Sequence, residues 1–111
     1  MSKLYKCTVC GYIAEGENAP DPCPKCMQPA DKFVEMDEES AQKVYRSDLT
    51  NSIHMEIIGL AEQIAALAEE GIEDDLDPMC VGAFTKARDE AWVIKQRSKA
   101  ELAGHMSKGK W

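Results

Sequence analysis

No run of apolar residues approaches the length of a transmembrane helix, and Met1-Ser2-Lys3-Leu4 leads straight toward the first cysteine without the apolar core of an export signal. The expectation is a cytoplasmic protein that does not enter a membrane. Positive charge is also scarce, with 13 Lys and Arg against 20 Asp and Glu and a formal net charge of -7. A nucleic-acid partner is not expected, because binding one takes a basic face that displaces counterions. No segment has the ligand spacing and glycine of a calcium loop, and the chain holds neither an internal repeat nor a low-complexity tract. At 111 residues and 44% hydrophobic content there is room for one ordinary domain, or for a small module with an extension.

What the chain does have is five cysteines, four of them in two knuckles, Cys7-Thr8-Val9-Cys10-Gly11-Tyr12 and Cys23-Pro24-Lys25-Cys26. Two C-x-x-C pairs across a short loop read as one tetrahedral tetrathiolate metal site. In a chain that is not exported, thiols so arranged are metal ligands sooner than disulfides. Soft thiolates in this geometry select zinc or iron. Zinc has no redox chemistry and would make the knuckles a staple, whereas iron between four sulfurs can change oxidation state. Spacing alone leaves both metals open. Gly11, Gly16, Pro20, Pro22, Pro24 and Pro29 punctuate the surrounding segment, which reads as a loop-rich unit with short strands. A segment of about 36 residues buries too little apolar surface to be stable alone, so the metal must supply much of its folding free energy.

The stretch Tyr5-Lys6-Cys7-Thr8-Val9-Cys10-Gly11-Tyr12-Ile13, with Asp21-Pro22-Cys23-Pro24-Lys25-Cys26 and Pro29-Ala30-Asp31-Lys32-Phe33, resembles a rubredoxin-type domain. More narrowly, it resembles the shortened rubredoxin module at one end of rubrerythrins, and the likeness takes in the aromatic positions Tyr5, Tyr12 and Phe33. The resemblance implies one iron ion held by Cys7, Cys10, Cys23 and Cys26, cycling between ferric and ferrous states and passing single electrons. Zinc is the alternative metal, or a substitute in recombinant protein. The implied partners are redox proteins, a reductase upstream and an oxidoreductase downstream. One position departs from the pattern: rubredoxins usually carry Gly after the fourth cysteine, at a turn where positive φ is cheap, and here Met27 stands there.

After Met36 the character of the chain changes. Asp37-Glu38-Glu39-Ser40 places acids where a helix N-terminus favours them, and Leu49, Ile53, Ile57, Leu60, Ile64 and Leu67 recur at spacings of four and three. The pattern predicts a long helix from about residue 38 or 40, with that stripe as its main seam and Gly71 as its C-terminal cap. Asp77 then caps a second helix that begins with Pro78, presents Cys80, Phe84, Ala87, Ala91, Ile94, Ser98 and Leu102, and ends around Gly104. Met55, Ile58, Ala61 and Ala65 form a second flank on the first helix, which an antiparallel hairpin alone leaves partly wet. Association of two hairpins into a four-helix bundle, or docking on a helical partner, would cover it, so a homodimer is expected.

Rubrerythrins add a di-iron four-helix bundle, whose ligands include inward-pointing glutamates and a Glu-x-x-His pair. No such pair is present. Asn51-Ser52-Ile53-His54 has Asn where the carboxylate belongs, and Glu101 and His105 have the wrong spacing. His54 reads as a hydrogen-bonded interface histidine and Cys80 as a packing residue. The expected fold is a small metal-stapled rubredoxin-like β module over residues 1–36, followed by an all-α antiparallel helical hairpin over residues 37–111. The expected function is that of a one-electron carrier, not a catalyst. Two alternatives are a zinc-ribbon interaction module and a peroxide-reducing protein with a di-iron site built between chains, using Glu56 or Glu62.

Overall fold

Three short strands organise the first part of the chain, whose structure, a computed structural model, describes residues 3–111. β1 (Lys3–Cys7) is central, flanked by antiparallel β2 (Ile13–Gly16) and β3 (Phe33–Glu35). The register sets Lys6 opposite Ile13 and Cys7 opposite Phe33, so the first cysteine of the knuckles closes the central strand. Hydrogen bonds tie the loops to this small sheet. The Thr8 amide and hydroxyl both donate to the Lys32 carbonyl, at 3.0 and 2.7 Å, and the Tyr5 hydroxyl donates to the Glu17 carbonyl at 2.8 Å. The Ala30 amide donates to the Asp21 carboxylate at 3.2 Å, at the start of a short 3-10 turn, Ala30–Lys32, that leads into β3.

Asp37 starts α1 (Glu38–Asp74) as the acidic sequence there predicts: its carboxylate accepts from the Ser40 amide at 2.8 Å, supplying a partner for an otherwise free first-turn donor. The chain divides into two compact units, the first ending at Tyr45 and the second running Arg46–Trp111. Within the first, the Tyr45 hydroxyl donates to the Glu15 carboxylate, which pushes the Tyr45 pKa up. Among its described residues the buried side chains are Leu4, Cys7 and Cys23.

In the second unit the rest of α1 runs antiparallel to α2 (Pro78–Ser107) as a hairpin. Asp77 caps α2 as expected, accepting from the Cys80 amide at 2.7 Å with Pro78 at the first helical position. Gly71 is not the cap of α1. The helix continues to Asp74, and the left-handed residue is Asp75, at φ 50°. Gly71 meets a different need, because a Cβ there would lie 2.4 Å from the Phe84 ring of α2.

The seam between the helices also differs from the expected one. Ser47, Asn51, Ala61 and Ala68 of α1 are buried, with Ala91, Ser98 and Leu102 of α2, whereas Leu49, Ile53, Leu60, Ile64 and Leu67 stay 43–70% exposed. The flank carrying Ala61, and not the large aliphatic stripe, is therefore what α1 turns toward α2. Pairing across the hairpin explains the choice. His54 Nδ1 lies 2.9 Å from Ser98 Oγ, and His105 Nδ1 lies 2.6 Å from Asn51 Oδ1. The Asn51 amide nitrogen donates to the Lys110 carbonyl at 2.7 Å and to Ser47 Oγ at 3.4 Å, so its oxygen must accept and His105 must carry the proton on Nδ1. Farther along, Lys95 pairs with Glu62 at 3.5 Å and Arg88 with Glu69 at 3.1 Å. These contacts cannot form if the aliphatic stripe faces α2.

Candidate metal centre

Each knuckle is built from the same hydrogen bonds. The Gly11 amide donates to the Cys7 carbonyl at 2.9 Å and the Cys7 amide to the Tyr12 carbonyl at 2.8 Å. In the second knuckle Met27 donates to Cys23 at 2.9 Å and Cys23 to Gln28 at 2.8 Å. The residue after each second cysteine must take a left-handed conformation to close this turn, and Gly11 does so at φ 84° and Met27 at φ 64°. Met27 thus adopts the turn for which rubredoxins usually use Gly, bearing the steric cost of its Cβ while its side chain stays 67% exposed.

Two equivalent turns facing each other bring the four thiols together. The Sγ atoms of Cys7, Cys10, Cys23 and Cys26 all lie within 4.8 Å of one another, with Cys7 to Cys26 at 3.7 Å and Cys10 to Cys23 at 3.6 Å. Four sulfurs at about 2.3 Å from a central ion stand about 3.8 Å apart at the corners of a regular tetrahedron. The cluster therefore fits a single tetrahedral thiophilic ion. Cys7 and Cys23 are buried, and Cys10 and Cys26 are partly open to solvent.

Backbone amides prepare the sulfurs for negative charge. Amides of Cys10 and Val9 point at Cys7 and, against the opposing effect of burial, bring its thiol down to about 7. At Cys23 burial is the largest single influence and opposes ionisation, yet the amides of Cys26 and Lys25 and the neighbouring thiols lower the pKa. Cys26 goes the other way: the Gln28 amide favours its thiolate, but burial and the thiols of Cys10, Cys23 and Cys7 outweigh that and push it up to about 11. Four adjacent sulfurs cannot all ionise without a cation among them, so a cation held there would complete this electrostatic arrangement.

Cys80 belongs to no such cluster. Its amide and thiol both face the Asp77 carboxylate, the thiol at 3.6 Å, so it takes part in the helix cap. The structure also brings together His54 and His105, far apart in sequence, with ring centroids 6.2 Å apart and edge to face. Sequence periodicity did not pair them, because their meeting depends on which flank of α1 faces α2. Among the described residues, the four cysteines are the only group of three or more ligand side chains that comes together to hold a metal.

Comparison with known proteins defines the class. Residues 5–34 match the family model of the rubrerythrin rubredoxin-like domain. The N-terminal module is a rubredoxin-like domain of the rubrerythrin type, and the match ends before either helix. Two proteins of Clostridium acetobutylicum are similar to about a third of the chain. Reverse rubrerythrin-1 is 57% identical over 37 residues, covering 33% of this chain and 20% of that protein. Rubrerythrin-1 is 52% identical over 31 residues, covering 28% of this chain and 16% of that protein. The chain thus spans about a fifth or less of the length of these curated relatives. No solved structure matches it. No helix among the described residues is long and apolar enough to cross a membrane.

Proposed function

We propose that the chain is a one-electron carrier in which Cys7, Cys10, Cys23 and Cys26 hold one iron ion. The observation that carries this reading is the set of four sulfurs at tetrahedral spacing inside a rubredoxin-like domain. Iron bound by four thiolates supplies a one-electron couple. The chain's own part is to keep the sulfurs still. Both knuckles are closed turns with paired backbone hydrogen bonds, so the ligand positions need little rearrangement when charge changes. The amides aimed at Cys7 and Cys23 offset thiolate charge and favour the reduced, more negative state. Cys10 and Cys26 reach the surface, with Val9 and Met27 exposed beside them. That edge is where we place electron exchange with a reductase on one side and an oxidoreductase on the other.

Anaerobic reconstitution with ferrous iron tests the reading. One iron per chain is expected, with visible sulfur-to-iron charge-transfer absorption that bleaches on reduction and returns on oxidation. Cys26→Ser should damage that spectrum and Cys80→Ser should leave it unchanged. A reconstituted protein without a reversible one-electron couple would overturn the proposal, and tight zinc binding alone would make the module a structural ribbon. A second stoichiometric iron would point instead to a site shared between chains.

A further inference from the structure

We infer that the apolar face of the hairpin is where a second copy of this chain packs, two hairpins completing one four-helix bundle. Both helices contribute to that face. Successive residues of a helix are about 100° apart, so Leu60 and Glu62 lie on opposite sides of Ala61, which is buried toward α2. On α2, Ala87 and Ile94 lie to one side of the buried Ala91, and Arg88 and Lys95 lie to the other. The ion pairs Glu62–Lys95 and Glu69–Arg88 therefore mark one side of the hairpin. The aliphatic stripe of α1 shares the other side with Ala83, Ala87 and Ile94 of α2. Among the described residues no ion pair crosses the hairpin there.

Three observations select a second copy as the occupant. The stripe from Ile53 through Ile57, Leu60 and Ile64 to Leu67 alternates steps of four and three, with Ile and Leu in alternation over its last four positions, the pattern of a helix seated lengthwise on other helices. Five aliphatic side chains left 43–70% open make an apolar patch on the order of 500 Å², at the upper end of what monomers leave to water. With the alanines and the polar rim, such a face approaches the roughly 800 Å² per partner of a stable interface.

The third observation is self-complementarity. A two-fold axis parallel to the helices lays α1 of one copy over α2 of the other at equal height. Heights follow from the contacts across the hairpin, His54 with Ser98 and Glu69 with Arg88. By that measure Leu60 comes level with Ile94 of the second copy, aliphatic against aliphatic, and Leu67 with its Ala87, a bulky side chain over a small one. Glu56 comes level with Arg97 of the second copy, acid beside base, and neither residue forms an ion pair among the described residues of its own chain.

Sedimentation of the metal-loaded full chain at micromolar concentration tests the inference. The wild type should be a dimer. Leu60→Glu, at a side chain half-exposed in the single chain, should keep its helical circular dichroism and weaken the dimer roughly a hundredfold by burying an unpaired carboxylate. Leu67→Gln should weaken it in the same direction, and Trp92→Glu, on the ion-paired side, should leave it unchanged. The visible spectrum should survive all three. A monomeric wild type, a dimer indifferent to Leu60→Glu and Leu67→Gln, or one broken by Trp92→Glu alone, would overturn the proposal.

Discussion

The cysteine module and the hairpin reach order by opposite routes. In the first, two of the three buried side chains among the described residues are cysteines of the candidate metal centre, so core and candidate site share most of their atoms. In the second, the buried line consists of alanines, one leucine and hydrogen-bonded polar residues, and the large aliphatics remain outside. A module whose core is its candidate ligand set should depend on an ion bound there. A hairpin whose contacts are helix to helix depends on packing and on whatever covers its second face. The two should therefore respond differently to the same insult.

Metal removal should separate them most sharply. A strong chelator, or Cys23→Ser, removes binding free energy on the order of 10 kcal/mol from the first unit, enough to unfold it. The far-ultraviolet helical signal should persist while the amides of β1 to β3 lose hydrogen-exchange protection. Helix loss in step with the metal would break the comparison, because the hairpin would then need the module to fold.

Gly71→Ala should act only on the hairpin. The new methyl group meets the Phe84 ring, and overpacking of this kind costs about 1 to 3 kcal/mol, partly offset by the better helix propensity of Ala, worth up to about 1 kcal/mol. A lower thermal midpoint with an unchanged metal spectrum is the expected outcome. Adding Phe84→Ala should remove the penalty of the first substitution, and strict additivity of the two changes would show that the contact is not its source.

Met27→Gly should act only on the module, and in the stabilising direction. Relief of the left-handed strain outweighs the added freedom of the unfolded chain by about 0.5 to 1 kcal/mol. Slower metal loss to a chelator would register it. A faster loss would mean that the exposed Met27 side chain holds the knuckle together in some other way.

The smallest effect concerns the helix caps. Asp37 and Asp77 both have carboxyl pKa values lowered from 3.8, chiefly by the amides of Ser40 and Cys80. A carboxyl lowered on folding contributes stability that is complete above its unfolded value and is lost as pH falls through the lowered folded value. Asp77→Ala should therefore lower the thermal midpoint at neutral pH, and its deficit relative to wild type should shrink in acid. A deficit unchanged at low pH would remove the charged cap as its cause.

The residues that were easiest to read are those whose roles depend on near neighbours. The C-x-x-C spacing, the Asp77-Pro78 helix start and the acids around Glu38 each act within a turn or two, and each does in the structure what its spacing implies. Met27 was legible as a departure, though only the backbone shows that it takes the glycine conformation without glycine. Gly71 packs against α2 and does not cap α1. A cap and a packing gap both call for a residue without a side chain, and the Phe84 ring that decides between them lies on the other helix.

Local chemistry in the sequence thus determined the four-thiol site, the short-stranded module around it and the existence and direction of two long helices. Tertiary structure alone decided which flank of α1 meets α2. Helical periodicity shows that a stripe exists and is silent on what it faces. The large aliphatics invite burial, yet the hydrogen bonds of Asn51 with His105 and of His54 with Ser98, with the ion pairs of Glu62 and Glu69, can be made only when the Ala61 flank turns inward. Those contacts join residues some 20 to 50 positions apart, and their pairing is a property of the folded hairpin.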